Sequence, residues 1–166
     1  LTLLQANPDV LSFQDEDSIL SFPSEGAMLA DLQAQMRKDF PDFPKEPAIS
    51  FSCKIKRVSP AMEPYCSPAY YLTPPVDDLG NNIIYINHRN QPDSLTLYTT
   101  LAHEGYPGHL YQTVYSQLCL QNRNAPLIRS LLHYGGYVEG WALYVEDLSY
   151  SYAASASGDS AKAAYV

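Results

Sequence analysis

Apolar and polar side chains alternate over residues 49–56, and a period of two is typical of a strand with one buried face. The apolar positions are Ile49, Phe51, Cys53 and Ile55. Apolar stretches at residues 70–73 and 83–87 lie on either side of a turn-forming sequence, so they predict two further strands. Residues 48–90 are therefore predicted to form a small antiparallel β-sheet.

Helical spacing of apolar residues precedes and follows this predicted sheet. Ser24 is a typical N-cap residue, and the apolar positions after it predict a helix over residues 24–40. Residues 93–155 keep a helical pattern, with breaks at 106–108 and 122–126. This order indicates an α+β fold in which a small sheet is followed by a mainly helical half.

The last helix is predicted to bury a stripe of large side chains against the core. The stripe consists of Leu127, Leu131, Tyr134, Val138, Trp141 and Val145. Gly135 and Gly136 fall within that predicted helix, where each glycine costs roughly 1 kcal/mol against alanine. A close approach by the helix that carries His109 would explain the pair, and so would a simple kink.

The bulk properties exclude some classes of protein. A length of 166 residues suits one domain with its own core. The net charge of −8 argues against a nucleic-acid partner and favours basic or neutral substrates. No uncharged apolar run reaches the roughly 18 residues that a membrane span needs. The chain begins at Leu1 and ends inside an alanine-rich stretch, so we expect it to be a fragment of a larger helical protein. Residues 1–23 are expected to be a connecting segment, and the remainder of the parent chain is expected to be a partner.

Three cysteines, Cys53, Cys66 and Cys119, are too far apart in sequence to form a C-x-x-C pair. Isolated cysteines of this kind are typical of small apolar core residues. A disulfide between Cys53 and Cys66 stays open as the alternative if the parent protein is exported.

A segment with two histidines and one glutamate carries the strongest chemical signal. Glu104 is the only carboxylate between Asp93 and Glu139, and its neighbours in sequence are mostly apolar or aromatic. An ionised group in such surroundings is costly unless a cation meets it. Because His103 and His109 lie so close to Glu104, the sequence indicates that the cation is a metal ion.

The spacing of the two histidines requires a break in the helix. In the zinc-hydrolase motif H-E-x-x-H the histidines are four residues apart, about 40° around a helix, whereas six residues give about 120°. Pro107 cannot donate to the carbonyl of His103 and would clash with it, and Gly105 and Gly108 relax the backbone on either side. A bulge or broken turn is therefore predicted to bring His109 back beside His103.

A third metal ligand is expected from another helix. Glu139 is the first acidic residue downstream, and Glu146 shares its helix face, so one carboxylate can bind metal while the other hydrogen-bonds a ligand imidazole. Two imidazoles and one carboxylate leave a fourth position for water, as in catalytic zinc sites. One Zn²⁺ ion is expected, with Glu139 as its third ligand and Glu146 behind the imidazole. Glu104 is then the general base of peptide or amide hydrolysis.

The two motifs resemble those of a large bacterial family known as a domain of unknown function. They read H-E-x-x-P-G-H at residues 103–109 and E-G-W-A-x-Y-x-E at residues 139–146, and the resemblance covers roughly residues 45–155. Members of that family are similar to zinc metallopeptidases with a glutamate third ligand. The resemblance implies a zincin-like, mostly helical peptidase that is often exported or lipid-anchored. Family members run far longer, so a piece of this length can bind metal and still be inactive.

Four further residues are candidates for contact with a substrate. Tyr85 and Asn87 can present an edge strand to an extended peptide, although simple strand packing explains them equally well. Tyr106 and Tyr144 are candidates to stabilise an oxyanion, and a structural role also explains either one. We take Tyr144, with Glu104, as the predicted catalytic residues.

Three hypotheses of function follow from these residues. The first is zinc-dependent hydrolysis of peptide bonds by a metal-activated water, with Glu104 as base. The second is a non-catalytic module that binds a peptide or glycan and keeps a structural metal site. The third, ranked lowest, is a glycoside hydrolase that uses Glu104 and Glu139 as acid and nucleophile, which leaves both histidines without a role.

Overall fold

The computed structural model describes residues 20–89 and 93–158, so most of the predicted connecting segment lies outside the described residues. The helices are α1 Glu25–Met36, α2 Ser94–Glu104, α3 His109–Asn122, α4 Ile128–Leu131 and α5 Gly135–Ala156. The strands are β1 Ser52–Arg57, β2 Ala69–Leu72 and β3 Asn81–Ile86, and a 3₁₀ turn, Glu63–Tyr65, lies between β1 and β2. The α+β class predicted from the sequence is confirmed, with α1 preceding the sheet and the other helices following it.

Side-chain caps fix where the first two helices begin. The Ser24 hydroxyl accepts a hydrogen bond from the Ala27 amide at 3.2 Å. The Asp93 carboxylate does the same for the Thr96 amide at 2.9 Å. Both caps satisfy amides that have no partner within a helix, which is why serine and aspartate predict these starts. Helix α1 ends at Met36, earlier than the predicted residue 40, and the following residues form a turn.

The sheet is mixed, so the prediction of an antiparallel sheet is wrong for one of its two pairings. The strand order is β1-β3-β2. Strand β3 pairs antiparallel with β2 and parallel with β1, with Ser52 opposite Asn81 and Arg57 opposite Ile86. Strand β2 returns directly into β3 as an antiparallel neighbour, and β3 then lies between β2 and β1. Alternating hydrophobicity fixes which face of a strand is buried but says nothing of the order or direction of neighbouring strands.

Helix α2 runs through the middle of the core. Its residues Tyr98, Leu101 and Ala102 are fully buried, and the helix packs against α1, β2 and α5. The buried face of α5, which includes Val145 and Ala153, lies against α2. Because α2 is held from several sides, the position of its last turn is well fixed, and that turn carries His103 and Glu104.

The predicted buried stripe of the last helix is correct only in its second half, from Val138 onward. Val145 is buried and Trp141 is half-buried, whereas Leu127, Leu131 and Tyr134 are 67%, 63% and 65% exposed. These three lie in α4 and the loops beside it, where no other part of the described chain covers them. Periodicity alone cannot show whether a partner for an apolar face is present.

The glycine pair Gly135 and Gly136 opens α5 instead of interrupting it. A Cβ atom at Gly136 would meet nothing within 4 Å, so neither a close approach by α3 nor a mid-helix kink explains the pair. Within residues 20–89 and 93–158, no helix combines the length and the hydropathy that crossing a membrane demands.

Candidate metal centre

The candidate metal centre forms where α2 gives way to α3. The helix ends at Glu104 and the next begins at His109, so the predicted break between the histidines is confirmed. A Cβ atom at Gly108 would overlap the carbonyl oxygens of Ala102 and His103, which means that the chain folds back tightly over the end of α2. Only glycine allows this return, and the return places the first residue of α3 beside the last turn of α2.

The side chain of Trp141 holds the break in place. The indole Nε1 of Trp141, on α5, donates a hydrogen bond to the carbonyl oxygen of Pro107 at 2.8 Å. The Trp141 ring also packs edge-on against Phe40, with ring centroids 5.5 Å apart. A hydrogen bond to a carbonyl between the two histidines ties the break to the helix that carries Glu139.

The two imidazoles and the carboxylate of Glu139 converge on one region. The His103 and His109 rings are 4.8 Å apart between centroids and nearly perpendicular. Glu139 Oε2 lies 3.8 Å from His103 Nε2 and 3.7 Å from His109 Nε2. Ligand atoms at about 2.0–2.2 Å from a tetrahedral zinc ion are about 3.4 Å from one another. The two distances from the Glu139 oxygen are thus slightly longer than a bound zinc ion requires, and the donor types, two imidazoles and one carboxylate, fit this metal.

A second carboxylate from α5 contacts the other nitrogen of the same imidazole. Glu146 Oε2 lies 2.8 Å from His103 Nδ1. Of the two acids that share a face of α5, Glu139 therefore faces the Nε2 atoms and Glu146 lies behind the His103 ring. Carboxylates behind ligand imidazoles fix the ring orientation and the tautomer in metal sites.

Glu104 lies at the same place as the two histidines. A ligand atom of each of His103, Glu104 and His109 can be chosen so that all three lie within 4.8 Å of one another. Glu104 Oε2 accepts a hydrogen bond from the backbone amide of Tyr71, on β2, at 2.7 Å. Burial raises the pKa of the Glu104 carboxyl, and the hydrogen bond from Tyr71 opposes that rise. Burial also lowers the pKa of His109, with the neighbouring His103 acting in the same direction, which favours the neutral imidazole that binds metals.

A cleft of about 1320 Å³ opens onto this cluster. Strand β2 contributes Tyr70 and Tyr71 to its lining, α3 contributes a row of mostly polar side chains, and the segment from Arg129 to Glu139 forms another part of the wall. Glu139 is the most open member of the centre, with 61% of its side chain exposed. The arrangement is two imidazoles and an exposed carboxylate next to a second, half-buried carboxylate, Glu104, on an open groove.

Several predicted site residues lie elsewhere. Asn87 does not line the cleft; its side-chain amide donates to the carbonyls of Glu63 and Cys66 at 2.8 and 3.1 Å. Tyr85 belongs to the central strand β3 and stacks on Tyr70 with centroids 5.2 Å apart. Neither can offer a free strand edge, because β3 is paired on both sides. The edge strand beside the site is β2.

The two tyrosines considered as oxyanion donors are also outside the cleft lining. Tyr106 is buried, and burial raises its pKa to about 12. Tyr144 is exposed on α5, and its ring is tilted against Trp141 with centroids 6.1 Å apart. The three cysteines are all free thiols, so the alternative of a Cys53–Cys66 disulfide is not realised.

Sequence reasoning missed the contacts through which three residues shape the centre. These are Tyr71, whose amide holds Glu104; Trp141, whose indole holds Pro107; and Gln112, which lines the cleft one helical turn after His109. A signal existed for Gln112, since it is a polar residue among apolar neighbours at the start of α3. The contact of Tyr71 depends on the strand order, which the sequence pattern does not contain.

Comparison with solved structures places this geometry in a known fold. The chain is similar to the structure titled "The crystal structure of the putative lipoprotein from Colwellia psychrerythraea", with a TM-score of 0.65 and 24% sequence identity. The match covers 96% of this chain and 25% of the solved one, so the chain spans about a quarter of that protein's length. No curated protein matches the sequence. The model of the bacterial family of unknown function DUF885 matches residues 9–154, and the chain belongs to that family.

Proposed function

We propose that this chain carries the metal centre of a zinc-dependent peptidase, in which His103, His109 and Glu139 hold one Zn²⁺ ion. The observation that carries the proposal is the position of Glu139 Oε2, which lies 3.8 Å and 3.7 Å from the Nε2 atoms of His103 and His109. Two imidazoles and one carboxylate are the donor set of open catalytic zinc sites. Zinc, when bound, supplies a Lewis acid that activates water and polarises a carbonyl.

Glu104 is the general base of the proposed reaction. One of its oxygens is held by the Tyr71 amide, which leaves the other free for proton transfer. As a water oxygen attacks the peptide carbonyl carbon, Glu104 accepts the water's proton. As the C–N bond breaks, Glu104 delivers that proton to the leaving amine. Burial raises the pKa of this carboxyl, so Glu104 is a stronger base than an exposed glutamate and accepts the proton of the water more readily.

Glu146 positions His103 and takes no part in proton transfer to the substrate. Its contact with Nδ1 at 2.8 Å supports a tautomer in which the proton lies on Nδ1 and Nε2 is free to bind the ion. The edge strand β2, which lines the cleft, supports the binding of an extended peptide beside Glu104.

The proposal is tested by metal content and turnover together. Purified wild-type chain and the Glu104→Gln variant should each contain about one zinc ion by elemental analysis. Only the wild type should cleave a mixture of fluorogenic peptides, and a chelator should stop that cleavage until zinc is added back. His109→Ala should lose both metal and turnover. Full activity in Glu104→Gln, or an absence of bound metal in the wild type, would contradict the proposal.

A non-catalytic role for the same cleft is the second candidate. The observation that favours it is the position of Tyr106 and Tyr144, the two candidates to stabilise an oxyanion, because neither lines the cleft. In this role the cleft binds a peptide or glycan, and the metal only stabilises the fold. Peptide binding that survives a chelator, in a chain that never cleaves peptides, would select this candidate over the first.

The cellular location of the parent protein is also part of the proposal. The solved relative is described as a lipoprotein, and it is about four times as long as the matched region. This description supports a parent protein that is exported or lipid-anchored, with further chain completing the cleft wall near α4.

A further inference from the structure

The cleft follows one mostly polar stripe along α3 away from the metal centre. From His109 the stripe continues through Gln112, Ser116, Leu120 and Arg123, and these last four line the cleft with His109. Residues spaced three or four apart lie on one face of a helix. Fourteen residues at 1.5 Å each place Arg123 about 21 Å along the helix from His109. The groove is therefore long enough for an extended peptide of about six residues at about 3.3 Å each.

Two glutamines that line this groove, the buried Gln112 and the half-buried Gln117, each have one buried polar atom without a hydrogen-bond partner among the described residues. Gln112 is only 8% exposed, and its Nε2 atom has no partner among the described residues. Gln117 donates through Nε2 to the Ser130 carbonyl at 3.2 Å, whereas its Oε1 atom is buried without a partner in the described part of the chain. A buried polar atom without a partner is costly, so such atoms point to a ligand that completes them. A free donor and a free acceptor along one groove match the C=O and N–H groups of a peptide backbone.

The far end of the groove is positively charged although the chain as a whole is acidic. Arg123 follows the last residue of α3 and lines the cleft there, and Arg129 lines it from α4, where the next residue, Ser130, accepts a hydrogen bond from Gln117. The carboxylates among the described lining residues are Glu104 and Glu139, at the metal centre. The ion pairs that arginines make within the described residues belong to Arg37 and Arg57. The net charge of −8 therefore does not describe the local charge at this end of the groove. Guanidinium groups without an acidic partner are well suited to bind a carboxylate.

We infer that the groove binds an extended peptide that carries a carboxylate at the end distal to the metal centre, where Arg123 and Arg129 hold it. Gln112 and Gln117 bind the peptide backbone between the two ends. The inference names the substrate class of the proposed peptidase, and it rests on that proposed function for the position of the cleaved bond. It replaces the expectation of basic or neutral substrates. The carboxylate is either an acidic side chain or the free C-terminus of the peptide.

The test measures peptide binding to the Glu104→Gln variant, which is expected to be catalytically inactive, in the presence of added zinc. The probes are peptides of eight residues that carry a fluorescent dye without a carboxylate group. The reference form is neutral with an amidated C-terminus, and three further forms have a free C-terminus, a glutamate at the first position, or a glutamate at the last position, the last two with an amidated C-terminus. Anisotropy should show at least tenfold tighter binding of a carboxylate-bearing form than of the amidated neutral form. The double variant Arg123→Gln Arg129→Gln should abolish that preference, and added salt should weaken it. Lys45→Gln, which removes an exposed charge outside the cleft lining, is the control and should keep the preference.

The four peptide forms identify the source of the carboxylate. A preference that follows the free C-terminus indicates a terminal carboxylate, and one that follows a glutamate indicates an acidic side chain; either supports the inference. Circular dichroism on the arginine variant checks that the fold is intact.

Failure of the inference and failure of the proposed function look different. Zinc-dependent cleavage of neutral and acidic peptides at equal efficiency, unchanged in the arginine variant, would overturn the inference and leave the peptidase intact. Arginine-dependent binding of acidic peptides, without chelator-sensitive cleavage by the wild type, would support the inference and overturn the peptidase.

Discussion

The Nδ1 atom of His103 lies 2.8 Å from Oε2 of Glu146, and this contact leaves Nε2 as the ring nitrogen that faces Glu139. The two carboxylates of α5 therefore have different positions relative to one imidazole, although they are one heptad apart on the same helix face. Glu139 is largely exposed beside the two Nε2 atoms, and Glu146 is half-buried behind the ring. In the proposed site, this difference distinguishes Glu139, a ligand of the zinc ion, from Glu146, which orients the ligand His103.

Removing the charge of Glu146 should weaken zinc binding without removing a ligand. We expect Glu146→Gln to lower zinc affinity about 10- to 100-fold, because outer partners of ligand histidines have effects of that size. Competition with a chromophoric chelator measures the affinity. Asp147→Asn removes the same charge from the next position, which is exposed, and should change the affinity little. An equal loss in both variants would show that the effect is one of general charge and not of the contact with His103.

Alanine at Gly108 should destabilise the fold and the centre together. The added Cβ would overlap two carbonyl oxygens at the end of α2, and overpacking of this kind costs about 1–3 kcal/mol or more in free energy of unfolding. Urea denaturation measures this cost, and zinc titration should show a weaker site in the folded variant.

Gly140 offers a matched control for the Gly108 variant. A Cβ atom at this interior position of α5 would meet nothing within 4 Å. Gly140→Ala should therefore stabilise the chain by up to about 1 kcal/mol through helix propensity alone. A Gly108→Ala variant as stable as Gly140→Ala would contradict the tight return of the chain between the histidines.

The break between the histidines was predictable because it follows from local covalent constraints. Pro107 cannot continue a helical hydrogen-bond ladder, and glycines on either side of it permit a sharp return. The shared face of Glu139 and Glu146 was predictable for the same reason, since it depends only on helical repeat. Each of these features is a property of a few consecutive residues or of one helix.

Features that depend on how separate elements pair were not predictable from periodicity. Tyr85 lies in β3 and Asn87 directly after it, and an alternating pattern does not show that β3 lies at the centre of the sheet. The residue that contacts Glu104 is instead Tyr71, through a backbone amide that carries no side-chain signature. The exposed apolar side chain of Leu131 shows the same limit, because a hydrophobic pattern does not reveal which segment covers it.

The thiol of Cys53 should react slowly with alkylating reagents at neutral pH. Burial raises its pKa to about 11, and a hydrogen bond from the Ile84 backbone only partly opposes this. The thiolate is the reactive form, and at pH 8 its fraction is over a hundredfold lower than for an unperturbed thiol of pKa about 8.5.

In the variant Cys66→Ser Cys119→Ser, the rate of alkylation should rise about tenfold per pH unit up to pH 10. The same variant unfolded in urea should react at the rate of an ordinary thiol, and a plateau below pH 9 in the folded chain would refute the effect of burial.

Replacing Trp141 by phenylalanine should weaken the centre although the residue contacts no proposed ligand directly. Phenylalanine keeps the aromatic packing against Phe40 but cannot donate to the Pro107 carbonyl, and a lost hydrogen bond of this kind costs about 1–2 kcal/mol. Because Pro107 lies between His103 and His109, the same change frees the segment that sets their separation, so zinc affinity should fall along with the free energy of unfolding. Urea denaturation of the zinc-free chain measures the loss of free energy of unfolding, and chelator competition measures the loss of zinc affinity.

Tyr65→Phe, at a largely exposed ring, serves as the control for loss of a polar aromatic atom. If Trp141→Phe lowered stability but left zinc affinity unchanged, the two histidines would be held in place by their helices alone, and the bond to Pro107 would serve only the fold.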